Sequence, residues 1–445
     1  MAYPIVKYNS STGSNTAPSD AVASGSNATG TAAATSIALG GTYDCRAAAD
    51  DDSDFIWCFT TAGQRHLFRI TAFAPSLSAA TSVTVAEAIG ATFGSEEGGV
   101  AFHINGTRLS LDGDTTFTDW QGLDPGWVVE LNGSFVQTAI GVKVSEHRST
   151  TSAVTDEPVT IRASSGATST PTIDVRGNGY HHFIASSFDY TSVRFEGLNL
   201  FCTTGGGAYS QLMAMTGQLI LENCNVDTSG GTATKAIMGQ YASRAIRLFN
   251  CYVTGGTTHT IWCDMLTALT VSNCWIDGQD TYGSGALIYA EGEATVITQT
   301  LISEGTGNGL QHNKDNVADE LLWVTNVTSV GNAGNGFSMT GSQADSTDAA
   351  SINYINCLAA NNGAYGWSLP AASLIARKGG TIDYNCGYNN TSGNYDGTTA
   401  GPNDITITAD PFTAAATDDY TLNSAAAGGA LLSSAAMVAI PVRPS

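Results

Sequence analysis

The chain has 445 residues, 42% of them apolar and only 13% charged, with 50 glycines and 39 acids against 17 bases for a formal charge of −22. A surface of this kind repels phosphate backbones and anionic membranes, because nucleic-acid binding needs clustered Lys and Arg to displace counterions. No apolar run approaches the roughly 18 residues of a membrane span, and few charges with much Gly, Ser and Thr predict short strands joined by turns.

The opening, "MAYPIVKYNSSTG", lacks the charged and apolar regions of an export signal. The nine cysteines are an odd number and avoid the C-x-x-C spacing of metal sites. The expectation is a chain made in a reducing cytoplasm, with free, buried thiols, no metal and no cofactor. "NSSTGSNTAPSDAVASGSNATGTAAATS" is low in complexity and is expected to be flexible or extended. Alternating segments follow in "DFIWCFTTAG", "HLFRITAFAP", "TSVTVAEAI" and "VAFHINGTRLSL", which predict a small antiparallel β domain closing near residue 115. The expected organisation is 1–115 for this arm and domain, 116–432 for the body, and 433–445 for a tail.

The body repeats. An Asn-Cys step ends successive apolar strands at Asn223-Cys224, Asn250-Cys251 and Asn273-Cys274, and the register passes Gln299-Thr300 and Asn326-Val327 to Asn356-Cys357 and Asn385-Cys386. One unit earlier it falls on Gly197-Leu198, so the steps are 26, 27, 23, 26, 27, 30 and 29 residues. A period in the twenties marks a solenoid whose units bury their apolar faces only against neighbours. A second strand follows in each unit, keeping Ile237, Ile261, Leu287, Leu310, Phe337 and Trp367 at similar spacing. No leucine-rich framework or helix is present, which leaves a parallel β-helix with rungs about 4.8 Å apart. Inward alternation breaks at the Asn, a residue that tolerates the left-handed backbone of a sharp bend. Asn223, Asn250, Asn273, Asn326, Asn356 and Asn385 are therefore read as a ladder along one corner. Cys224, Cys251, Cys274, Cys357 and Cys386 are read as a small apolar stack just inside it.

Three upstream phrases, "PGWVVELNGSF", "DEPVTIRASSG" and "TSVRFEGLNLF", resemble the first coils of the pectate-lyase-like right-handed parallel β-helix superfamily. "NDITITADPFTAAATDDYTLNSAAAGGALL", at 403–432, resembles its last coil and cap. The resemblance implies an all-β fold, a right-handed parallel β-helix preceded by the small N-terminal β domain. It implies little about chemistry, because one fold hosts many functions.

Enzymes of that superfamily are expected to use an Asp cluster for calcium with an Arg base, or paired carboxylates. Between 195 and 376 the only basic residues are Lys235, Arg244, Arg247 and Lys314, none beside an evident Asp cluster, so the lyase pattern does not carry over. Asp264 and Glu291, with Glu293 nearby, fall near the ends of equivalent strands. Two such carboxylates could push their pKa values apart and serve as acid and nucleophile, with Asp277 and Asp280 on a neighbouring loop, or all could be solvated turn acids. His312 reads as a packed residue, and the His181-His182 pair as structural because adjacent strand residues point to opposite faces. "GGG" at 205–207 lacks the helix and Lys of a phosphate cradle. Trp262 and Trp275 read as exposed aromatics for a subunit interface or a sugar-binding face.

"IVKYNSSTGSNTAPSD" and "IWCFTTAGQRHLFRITA" resemble the start of bacteriophage virion structural proteins. Two roles follow from that resemblance. One is a non-enzymatic capsid cement or decoration protein, a homotrimer on the capsid exterior bound to the major capsid protein. The other is a trimeric tailspike that binds and depolymerises host surface glycan. The missing catalytic signature and the short stretch after the last coil favour the first. Neither role involves direct nucleic-acid or membrane binding.

Overall fold

The computed structural model describes residues 5–11, 19–48, 54–59, 65–86, 89, 100–108, 123, 126–137, 142–144, 158–175, 181–185, 192–202, 210–214, 217–239, 245–263, 267–291, 294–313, 321–340, 351–369 and 380–423. The chain divides into two compact units, Met1–Thr204 with Thr216–Gln218, and Gly205–Met215 with Leu219–Ser445.

The first unit holds a closed antiparallel barrel. Its strands run in the order Ala23–Gly30, Ser36–Tyr43, Ala80–Val85, Arg65–Ala74, Phe55–Phe59 and Val100–Ile104, and the last pairs with the first. Ile37, Leu39, Ile56, Phe68, Phe102 and Ile104 fill it. Four of these strands are those read from alternation. The first two come from the stretch expected to be flexible or extended, which is extended over Ala23–Gly30 and leads into Ser36–Tyr43. Closure gives their backbone groups partners on both sides, which offsets the ordering cost of a sequence rich in small residues. The same unit holds parallel coils, with Ile5–Asn9, Val128–Asn132, Val159–Ala163 and Val193–Glu196 side by side in one sheet. The chain's first described strand thus belongs to a coil sheet, not to the barrel.

The second unit is a parallel β-helix with three sheets. The first contains Gln218–Glu222, Ala245–Phe249, Ala268–Ser272, Ala294–Thr298, Leu321–Thr325, Ser351–Ile355 and Thr381–Asp383. The second contains Asn225–Asp227, Tyr252–Thr254, Trp275–Asp277, Leu301–Ser303, Thr328–Val330, Leu358–Ala360 and Cys386–Tyr388. The third includes Lys235–Gly239, His259–Cys263, Ala286–Ala290, Asn308–Asn313, Phe337–Thr340, Tyr365–Ser368 and Gly393–Asp396. Period-two alternation sends Leu269, Val271, Ile297, Leu322 and Val324 of the first sheet inward, where each is buried.

The corner between the first two sheets is left-handed at every coil: φ is 53° at Asn223, 55° at Asn250, 53° at Asn273, 49° at Gln299, and 55° at both Asn326 and Asn356. Asn250 Nδ2 donates to Asn223 Oδ1 at 3.2 Å, and Asn273 Nδ2 donates to Asn250 Oδ1 at 2.6 Å. Cys224, Cys251, Cys274 and Cys357 are buried behind this row as thiols outside any disulfide, with burial pushing Cys357 up to about 12. The last coil departs from the sequence register by one residue. Tyr384, with φ 58°, takes the bend, so Asn385 occupies the buried cysteine position and Cys386 pairs with Leu358 in the second sheet. Asn385 fits inside because Cys357 N–H donates to its Oδ1 at 2.9 Å and its Nδ2 donates to Tyr354 O at 2.9 Å. A similar slip affects the third sheet, where Ile288, rather than Leu287, stands between Ile261 and Leu310.

The next corner carries a second asparagine row, this one buried. Asn332 Nδ2 donates to Asn362 Oδ1 at 3.0 Å, and Asn362 Nδ2 donates to Asn390 Oδ1 at 2.8 Å. The same oxygens accept the backbone N–H of the coil before, Asn332 to Asn362 at 3.2 Å and Asn362 to Asn390 at 3.1 Å. Each amide therefore satisfies both its own coil and its neighbour, which is what an interior polar group requires.

A C-terminal hairpin, Phe412–Ala414 with Asp419–Leu422, lies on the outer side of the second sheet. Phe412 and Tyr420 pack with Tyr252, Trp275, Leu301, Val330 and Leu358. Trp275, expected to be exposed, is only 8% exposed, and its Nε1 donates to Ser303 Oγ at 2.8 Å. It is available to neither a glycan nor a subunit.

Candidate functional site

The outer side of the third sheet carries the most chemistry among the described residues. Register places Met238, Trp262, Tyr289 and Gln311 in one outward column across four strands. The Trp262 and Tyr289 rings lie 6.5 Å apart and nearly parallel at 5°. Lys235 Nζ stands 4.6 Å over the Trp262 ring, a cation–π contact. His259 lies 5.0 Å from the Tyr289 ring, and burial followed by the Lys235 charge lowers its pKa to about 4, so it is neutral at pH 7.

A directed chain of hydrogen bonds runs beside this column. Asn308 Nδ2 donates to Gln311 Oε1 at 3.0 Å, Gln311 Nε2 to Thr340 Oγ1 at 3.1 Å, and Thr340 Oγ1 to Asn313 Oδ1 at 3.3 Å. Asn313 Nδ2 then donates to Glu291 Oε1 at 2.6 Å, and the Tyr289 hydroxyl donates to the same oxygen. Every donor points toward Glu291. Its carboxylate collects a polarised network spanning three coils, an arrangement suited to holding a fixed acceptor at the surface.

Of the three carboxylates suggested for catalysis, Glu291 is placed here, while Asp264 and Glu293 lie outside the described residues. Glycoside hydrolysis generally needs two carboxyls about 5–10 Å apart. Among the described residues the hydrogen-bond partners of Glu291 are Asn313 and Tyr289, neither of them a carboxylate. Asp277 and Asp280 separate: Asp277 is buried and accepts from the Tyr252 hydroxyl at 2.7 Å, whereas Asp280 is exposed. His312 is buried. His181 and His182 lie in the strand His181–Ala185. The glycine triplet 205–207 falls outside the described residues.

The sequence reading missed a second cluster. Glu304 stands where the equivalent turn of other coils has Gly255, Gly278 and Gly331, and it takes a left-handed φ of 60°. It accepts from the Tyr420 hydroxyl of the C-terminal hairpin, with Asp418 of that hairpin and Asp277 close by. Burial first, and then Asp418 and Asp277, push its carboxyl up to about 7 against the opposing Tyr420 bond. The signal available in the sequence was an acid interrupting a glycine column.

No protein-family model matches the chain. No curated protein matches it either. Among solved structures, the catalytic domain of a GH87 alpha-1,3-glucanase in complex with tetrasaccharides is similar over 90% of this chain and 99% of that chain, at 9% sequence identity and a TM-score of 0.24. A likeness that distant carries no argument about substrate.

Proposed function

We propose that the protein is a non-enzymatic β-solenoid of the virion surface, a homotrimeric cement or decoration protein seated on the capsid exterior against the major capsid protein. The observation that carries self-assembly is the outer side of the first sheet. Its fifteen outward positions over the five strands from Ala245 to Ile355 include eight apolar residues and one base, Arg247, and no acid. Trp323 near the middle is 40% exposed. In a chain of charge −22, repulsion between copies is weak across a face that carries no acid. Closed symmetry then prevents fibre growth.

The expected result is a concentration-dependent oligomer of the wild type and a monomer for Val296→Asp with unchanged circular dichroism, both read by light scattering. A carboxylate at the centre of the face would meet its own copies in the assembly. The capsid assignment is tested by imaging virions before and after stripping the protein. Many copies over the head, with heads that leak once stripped, support cement. A few copies on the tail overturn it.

One observation favours the tailspike alternative, the Trp262–Tyr289 pair beside the Glu291 network, since flat aromatic surface with fixed acceptors suits a sugar chain. On that reading Trp262→Ala lowers retention on host polysaccharide at least about tenfold, the loss of roughly 1.4 kcal/mol of stacking. Equal retention of both proteins removes the reading.

A further inference from the structure

We infer that the C-terminal hairpin, Phe412–Leu422, is a proton-gated strap, closed over the outer side of the second sheet when Glu304 is protonated and loosened when it ionises. This goes beyond the virion reading and does not depend on it.

The geometry supplies a latch with both of its partners on the strap. Tyr420 donates to Glu304 Oε1, and the Asp418 side chain lies near the same carboxyl and acts on it electrostatically. A protonated Glu304 accepts from Tyr420 and gives its own proton to the Asp418 carboxylate, closing the contact from both sides. An ionised Glu304 keeps the Tyr420 bond but sets its charge against Asp418. Asp277, from the strand beneath, adds a third carboxylate, itself held by the Tyr252 hydroxyl and by Ser303 Oγ at 3.4 Å. Asp280 is the remaining acid on the adjoining turn and is exposed; its backbone N–H donates to Glu304 O at 2.9 Å. The charged groups acting on Glu304, Asp418 and Asp277, are both acidic. Beneath the strap lies an apolar stripe of Tyr252, Trp275, Leu301, Val330 and Leu358, which opening would expose.

The direction follows from the proton balance. The docked carboxyl titrates near 7 against an ordinary 4.5, so the docked state binds the proton more tightly. Docking is therefore strongest below about pH 4.5, weakens as pH rises to about 7, and is level above that.

Amide hydrogen exchange of the full chain tests this, with Phe412–Leu422 as the probe and the strand Ala268–Ser272 as internal reference. After correction for the intrinsic rate, the hairpin of the wild type is expected to open at least about tenfold more at pH 8 than at pH 5, a value set below the full shift because the carboxyl is half-exposed. The reference strand should not change. Glu304→Gln keeps an acceptor for Tyr420 and a permanent donor for Asp418, so its hairpin should stay protected at both pH values. Asp418→Asn, at a left-handed position that Asn tolerates, removes one of the two repulsions and should shrink the pH dependence even if the Gln variant fails to fold, burial and Asp277 keeping part of it. Equal corrected protection of the wild type at the two pH values, or a wild-type profile in either variant, overturns the strap.

Discussion

Asn362→Asp is expected to destabilise the second unit by about 4 kcal/mol at pH 7, while the same exchange at Asn389 costs under about 1 kcal/mol. Both residues belong to stacked amide rows. Asn389 is exposed and donates from Nδ2 to Asn361 Oδ1 at 2.9 Å, so a carboxylate there is solvated. Asn362 is 0% exposed and uses its two Nδ2 hydrogens on Ser329 O at 3.1 Å and Asn390 Oδ1 at 2.8 Å. In aspartate both contacts become oxygen against oxygen, and the charge has no cation to meet. The acceptor half survives, since Asn332 N and Nδ2 still find an oxygen. The buried carboxyl has its pKa raised in the folded state, so stability falls as pH rises above the ordinary aspartate value near 4. The penalty is thus smaller at pH 4 than at pH 7. Urea unfolding at both pH values checks this, and equal midpoints for the Asn362 and Asn389 variants would remove the buried row as a source of stability.

Trp367→Ala is expected to cost a similar amount, about 4 kcal/mol, and Trp367→Phe less than half of that. The indole is fully buried between two aromatic neighbours of the third sheet, Phe337 at 5.4 Å and 23° and Tyr395 at 5.2 Å and 14°. Alanine leaves a hole a whole ring wide within a stack whose members are fixed by strand register, so the walls cannot close on it. Phenylalanine keeps a ring in the stack. It also deletes an indole N–H that is buried without a hydrogen-bond partner, returning part of the loss. Thermal unfolding of the two variants beside the wild type decides the matter. If Phe costs as much as Ala, the indole nitrogen contributes a bond that the ring stack does not account for.

Much of the fold was legible because a solenoid writes its architecture into a short period. Each coil buries side chains only against the next, so inward positions such as Leu269, Ile297 and Val324 recur in phase, and an Asn at a left-handed bend marks where the chain turns. From the residues alone came the all-β class, the parallel coils, the bends at Asn223 to Asn356 and the buried thiols behind them. The reading slipped by one at Tyr384 and at Ile288, where changes in turn length shift phase without disturbing composition. The two small-residue barrel strands were lost for another reason: ring closure supplies their partners, not their own propensity.

The site was less legible, because it depends on contacts between residues far apart in sequence. Glu291 was named from its strand, but its network required the register that brings Asn313 and Thr340 beside it. Trp275 looked exposed until a hairpin more than a hundred residues later covered it, and the same hairpin turned Glu304 from an ordinary turn acid into one that titrates near neutrality. Alternation and period are local properties that a chain can state along its length. Which outer face is covered, and which carboxylates meet, is settled only when distant segments compete for the same apolar surface, and that happens in three dimensions.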